Sequence, residues 1–170
     1  MEIPPSVTQI GYSAFYACTW LEKVVLNNVV TIGNHAFGEC KSLNDIDLPQ
    51  SLTSIGEWAF YGNETLTEII IPSSVKSMGI GAFSSCYNLA TVTLNEGLES
   101  IGANAFWQNK RISEITLPST LTAIGKSAFC GFTSEQTIFV VGKPSEGAAD
   151  TAWNKDWRSF CSATIVYDLG

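Results

Sequence analysis

The sequence predicts a leucine-rich-repeat solenoid of about six coils, each of roughly 22–23 residues, with one parallel β-sheet, an irregular convex side and a helix-containing cap at the C-terminal end. Three observations predict it. An Ile-Gly pair recurs at Ile10-Gly11, Ile32-Gly33, Ile55-Gly56, Ile101-Gly102 and Ile124-Gly125, with Met78-Gly79 as the same element. Each pair is followed at constant distance by Ala-Phe: Ala14-Phe15, Ala36-Phe37, Ala59-Phe60, Ala82-Phe83, Ala105-Phe106 and Ala128-Phe129. The interval between pairs is constant, except that the first step is shorter than the others by a single position. A fixed period of this kind marks a stack of supersecondary units.

A full copy runs from Leu48 to Ile71, and the next begins at Ile71 and ends at Leu94. A unit of this length is too short for a helix pair and matches one coil of a leucine-rich-repeat solenoid. Its Leu66-x-x-Ile69-x-Ile71 piece reads as the strand. Side chains alternate across a strand, so Ile69 and Ile71 point inward and Glu68 and Ile70 outward. Equivalent strands fall near Val24–Leu26, Ile46–Leu48, Val92–Leu94, Ile115–Leu117 and Ile138–Val140. The six Phe residues are expected to stack as an aromatic spine inside the coils. The Gly after each Ile suits a tight bend or a positive φ, and the Ala before each Phe leaves room for close packing. Pro4, Pro49, Pro72 and Pro118 end strands where no donor is needed. The shortened copy lost its residue near Asn27 and Asn28, where a surface turn absorbs the deletion.

The repeat region is expected over residues 1–142 and the cap over 143–170. Gly142-Lys143-Pro144-Ser145 reads as a turn, after which Asp150 is placed to cap a short helix over 151–160. Trp153, Trp157 and Phe160 share one face at helical spacing, and Thr164–Tyr167 reads as a last strand. Covering the final coil is the first role expected of this piece, and binding a ligand through the Trp pair the second. The N-terminal residues enter the repeat frame at once, which predicts a longer polypeptide or a partner packed on the first coil.

Composition narrows the function. Hydrophobic residues make up 45% of the 170 and charged residues 15%, enough to bury a core. A net charge of −7 argues against nucleic-acid binding, which depends on clustered positive charge. No apolar run approaches the roughly 20 residues that a membrane helix needs, and no leader-like series opens the chain.

The frame Ser-apolar-x-x-Ile-Gly-x-x-Ala-Phe-x-x-Cys-x-x-Leu-x-x-Ile-x-Ile resembles the BspA-like (treponemal-type) leucine-rich-repeat family over about residues 3–140. The resemblance implies a surface or secreted protein of a bacterium or protozoan and a role in adhesion to host proteins or other microbes. It implies no shared catalytic residues, so the expectation is a non-enzyme without cofactor or metal.

The remaining chemistry is sparse. His35, the single histidine, sits at a position that varies among copies (Ser13, His35, Trp58, Gly81, Asn104, Ser127), as a surface slot does. Cys18, Cys40 and Cys86 share a position held by Asn63 and Asn109 in other copies, which suits buried thiols able to form a hydrogen bond. Pairing of Cys18 with Cys40, or of Cys130 with Cys161, is sterically open but not the leading expectation. No CxxC, P-loop, dinucleotide, HExxH or EF-hand pattern occurs. Asn63-Glu64-Thr65 fits a glycosylation sequon, a weak pattern at that length.

The outward strand positions form two columns: Lys23, Asp45, Glu68, Thr91, Glu114, Thr137 and Val25, Asp47, Ile70, Thr93, Thr116, Phe139. From them Lys23, Asp45, Asp47, Glu68, Ile70, Thr91, Thr93, Glu114 and Thr116 are the candidate binding residues. Such a face suits a protein or glycan ligand, with no nucleic acid; a plain solvated sheet is the competing reading. Trp20, Trp58, Tyr61, Tyr87 and Trp107 in the turns are candidate anchors. The expected function is a cell-surface or secreted interaction module, and the alternative is a structural spacer within a larger surface protein.

Overall fold

The computed structural model describes residues 1–143 and 153–167. The chain winds into stacked coils, each carrying two short strands on two different sides. The expected strand column contains β2 (Lys23–Val25), β4 (Asp45–Asp47), β6 (Glu68–Ile71), β8 (Thr91–Leu94), β10 (Glu114–Leu117), β12 (Thr137–Val140) and β13 (Thr164–Tyr167), numbered in chain order. Between them lie β1 (Gln9–Ile10), β3 (Thr31–Ile32), β5 (Ser54–Ile55), β7 (Ser77–Met78), β9 (Ser100–Ile101) and β11 (Ala123–Ile124). These six form one continuous parallel sheet. The Ile of each Ile-Gly pair therefore closes a strand, and the prediction of a single sheet gives way to two sheet columns.

The glycine after each Ile does not adopt a positive φ, contrary to expectation. It is required because neighbouring coils touch there. A Cβ on Gly33 would lie 2.9 Å from Gly11, on Gly56 2.6 Å from Gly33, and on Gly79 2.5 Å from the Glu57 nitrogen. Gly102 and Gly125 meet the coil before them in the same way, whereas Gly11, in the first coil, meets nothing. The left-handed turns lie three and seven residues after each Ile. Most are not glycine: Ser13 and Ala17, His35 and Glu39, Trp58, Ser85, Asn104, Gln108 and Ser127. Their backbones are held by bonds to the next coil, such as His35 N to Glu57 O (2.8 Å) and Glu39 N to Tyr61 O (2.6 Å). A repeated contact thus offsets the cost of the αL conformation.

The Phe spine forms as expected. Phe15, Phe37, Phe60, Phe83, Phe106 and Phe129 stack with centroids 5.1–5.9 Å apart and planes within 8°. All but the half-buried Phe15 are fully buried. Beside the spine runs a polar ladder. Cys40 Sγ donates to Phe15 O (3.0 Å), Asn63 Nδ2 to Phe37 O (2.9 Å), Cys86 Sγ to Phe60 O (3.1 Å) and Asn109 Nδ2 to Phe83 O (2.8 Å). A thiol and an amide serve one position because each presents a donor to the carbonyl of the coil before. Burial pushes the Cys40 thiol up to about 11 and the Cys86 thiol up to about 12. Cys18, in the first coil, is exposed, and all five cysteines are free thiols.

The predicted helix over 151–160 is not present: residues 155–160 form turns, and no helix occurs among the described residues. Asp150 and Thr151 lie outside them. The segment winds as a further coil instead. Asn154 N bonds Ile124 O (2.8 Å) as Gly125 N bonds Ile101 O, and Ser127 N bonds Asp156 O (2.8 Å). Its backbone hydrogen bonds run between coils rather than along a helix. Trp153 and Trp157 face inward because they fill the ends of the Ile and Phe columns, while Phe160 is 86% exposed. Trp157 meets Phe129 edge-on at 5.8 Å and 86°, which ends the parallel stack. β13 then pairs with β12 in register, Thr137 opposite Thr164 through Val140 opposite Tyr167.

Candidate interaction face

The outer side of the first strand column brings the nine candidate residues together. Strand alternation buries Val24, Ile46, Ile69, Val92 and Ile115 and turns their neighbours outward. Lys23, Asp47, Glu68, Ile70, Thr91, Thr93, Glu114 and Thr116 are exposed and Asp45 is half-exposed. Parallel register aligns Lys23 with Asp45, Val25 with Asp47, Glu68 with Thr91 and Ile70 with Thr93. The apolar members are Ile70 (59% exposed), Val25 (39%) and, at the C-terminal end, half-buried Phe139 opposite Val166 (39%), within a polar, mildly acidic surface.

Charge on this face is unevenly answered. Lys23 Nζ lies 2.6 Å from Asp45 Oδ2. The hydrogen bond and negative charge of Asp45 raise the Lys23 ammonium above its usual pKa. The acidic character of the face therefore rests on Asp47, Glu68 and Glu114 more than on Asp45, a distinction that column spacing alone does not make.

The face is not one ladder. Hydrogen bonding joins β2 to β4, β6 to β8, and β10 to β12 to β13, but not β4 to β6 or β8 to β10. The residue after the strand accounts for the terminal bond of each pairing. Asn95 N donates to Ile71 O and Val141 N to Leu117 O, completing four-residue pairings. After β6 and β10 the corresponding residues are Pro72 and Pro118, which have no N–H to offer Leu48 and Leu94. Pro49 stands after β4, and the β2–β4 pairing is correspondingly short, at three residues. Fissures lie at both unbonded pairs, and a groove of about 260 Å³ also crosses the bonded β2–β4 pair. One fissure of about 130 Å³ is lined by Asn44–Asp47 and Glu68–Ile70, and one of about 310 Å³ by residues 90–94 with Ser113, Glu114 and Thr116. Asn44 and Ser113 line these openings without having been predicted, since each stands one residue before the strand alternation begins.

The turn aromatics lie on another side. Trp20 (93%) and Tyr87 (53%) are strongly exposed, Trp107 less so, and Trp58 and Tyr61 are half-buried. His35 is half-buried between the edges of Tyr12 (5.8 Å) and Tyr16 (6.0 Å). Among the described residues no three His, Cys, Asp or Glu side chains converge as metal ligands do, and no helix is long and apolar enough to cross a membrane.

This architecture recurs in solved structures. The Treponema pallidum leucine-rich-repeat protein superposes with a TM-score of 0.77 at 25% identity, over 96% of this chain and 86% of that one. The pneumococcal vaccine antigen PcpA gives 0.74 at 21% identity, over all of this chain and 41% of that one. A leucine-rich-repeat protein from Bacteroides ovatus gives 0.57 at 20% identity, over 99% and 60%. No curated protein matches. The BspA-type leucine-rich-repeat model matches residues 1–31 and 8–136 in six copies, and with the coil geometry above this places the chain in the BspA-type leucine-rich-repeat family.

Proposed function

We propose that the chain is a non-enzymatic, adhesin-like interaction module, displayed at a cell surface or secreted, whose strand face engages a host or microbial macromolecule. The observation that carries this reading is the registered column of exposed side chains along that face. Solenoids of this kind act in protein interaction by offering one extended surface built from many coils. Asp47, Glu68 and Glu114 suit a partner with a basic patch, and Ile70 offers an apolar contact between them. Family membership supports the surface placement.

The test is surface binding of the purified chain to immobilised extracellular-matrix proteins and glycans. Asp47→Lys/Glu68→Lys serves as the comparison, since it leaves the Lys23–Asp45 pair intact. Saturable binding that falls about tenfold or more in the variant is expected. Equal binding by both proteins moves the site off this face. No binding by either favours the spacer reading, in which the stacked coils serve only to separate other parts of a surface protein.

A further inference from the structure

The turn side carries a cavity that the strand-face reading does not use. It holds about 350 Å³ and is lined by Trp58, Tyr61, Ser84, Asn104 and Trp107. Its origin is a local exception in the repeat. Six residues after the Ile, successive coils carry Tyr16, Gly38, Tyr61, Ser84, Trp107 and Cys130. Three residues after it they carry Ser13, His35, Trp58, Gly81, Asn104 and Ser127. The fourth coil thus has small residues at both outward positions, between coils with large ones.

The two gaps in that coil are not treated alike. Trp58 leans over Gly81, where a Cβ would collide with the indole ring. Its ring stands at 86° to that of Tyr61, 5.6 Å away. The earlier small position, Gly38, is roofed by Tyr16, whose ring would lie 3.1 Å from a Cβ there. Above Ser84, itself buried, the outward space is not filled in this way. Ser84 forms the floor of an open slot with Tyr61 on one side and Trp107 on the other. In the core beneath, the Phe60–Phe83 and Phe83–Phe106 centroids are 5.1 and 5.9 Å apart, and the second step is the widest in the spine.

Two features define what fits. The first is an unmet polar group: Ser84 is 1% exposed, and its hydroxyl has no hydrogen-bond partner. Buried hydroxyls are normally satisfied, and leaving one bare is costly. The second is the combination of aromatic walls with neutral polar groups. The Asn104 amide offers both a donor and an acceptor, while the Tyr61 hydroxyl is engaged by the Glu39 carboxylate and leaves its ring as the wall; none of the five lining residues is charged. The chain's net charge of −7 further disfavours phosphorylated or sulfated ligands. A compact ring with apolar C–H faces and a rim of hydroxyls meets all of these conditions.

The geometry points to a second binding site here, separate from the strand face, that takes a neutral pyranose ring between Tyr61 and Trp107, with Ser84 and Asn104 bonding its hydroxyls. The cavity is of the size that small ligands occupy, and its lining, mainly aromatic with a few placed polar groups, is of the usual kind.

The test is a titration of the whole chain with glucose, galactose, mannose and N-acetylglucosamine, followed by tryptophan fluorescence. A proline-rich peptide runs beside them as the competing ring-bearing ligand. Ser84→Tyr fills the slot with the residue that two other coils carry at the same position, and Trp107→Ala removes one wall without touching the core. Circular dichroism confirms the fold of each, and Trp107→Ala decides alone if Ser84→Tyr does not fold. At least one sugar is expected to saturate the signal, with affinity lowered about tenfold or more in both variants. Asp47→Lys/Glu68→Lys should retain the sugar response, so failure of the strand-face reading and failure of this one are distinguishable. The inference is overturned if no sugar saturates, if either folded slot variant binds as the parent does, or if only the peptide saturates.

Discussion

At the scale of single residues, the fold depends on side chains that are not there. A methyl group on Gly79 would be forced against the backbone of Glu57 and Gly56, which no rotamer change relieves. Gly79→Ala is therefore expected to destabilise the chain by about 1–3 kcal/mol, as overpacking does. Gly11 stands at the same repeat position but meets nothing within 4 Å. Gly11→Ala should change stability by less than about 0.5 kcal/mol. Urea unfolding of the two variants checks this, and equal effects would remove close approach as the reason for the glycine column. The cysteines show the same dependence on coil position. Cys40 and Cys86 donate to the carbonyl of a Phe in the preceding coil, whereas Cys18, in the first of the described coils, is exposed.

At the scale of elements, the prolines after β4, β6 and β10 each withhold one donor from the strand column, and two of them stand where it opens. By the alternation of a parallel ladder, the amides of Glu114 and Thr116 face the fissure beside β8, while those of Thr137 and Phe139 bond β10. Glu114 and Thr116 should exchange hydrogen faster than Thr137 and Phe139. Pro118→Asn, which supplies the donor that Asn95 supplies in the coil before, should slow that exchange. Unchanged exchange would mean that the missing N–H is not what opens the ladder. Much of this fold was legible in the residues. Ile-Gly and Ala-Phe at constant spacing gave the coils and the spine, and alternation placed all nine candidate residues on one outer face. The second sheet was harder to see, because its strands are two residues long and end at a glycine that reads equally well as a bend. The left-handed turns were hidden because Trp58, His35 and Gln108 carry no mark of positive φ; contacts with the next coil impose it. The C-terminal segment reads as a helix because Trp153 and Trp157, four apart, fit a helix face and miss the five-residue Ile-to-Phe spacing of the coils, although both fold inward over the last coil. The slot over Ser84 has a sequence signal only in comparison, since Gly81 and Ser84 are small where adjacent coils are large.

At the scale of the whole molecule, each coil is held by its neighbours, so the chain's mechanical character follows from the weakest contacts between coils. The sheet of Ile-bearing strands is continuous from β1 to β11, and the Phe spine runs beside it without a break. Only the outer face is interrupted, at Pro72 and at Pro118. One side of the molecule is thus hydrogen-bonded from coil to coil throughout, and another side is broken at two places. Such an object bends in one plane and in one sense, opening at its joints as a watch strap does, while resisting twist and shear elsewhere. Held at both ends under flow, it should yield first at these joints, in two small reversible extensions before the spine gives way. Single-molecule pulling on the chain should record those steps, and Pro118→Asn should leave only one.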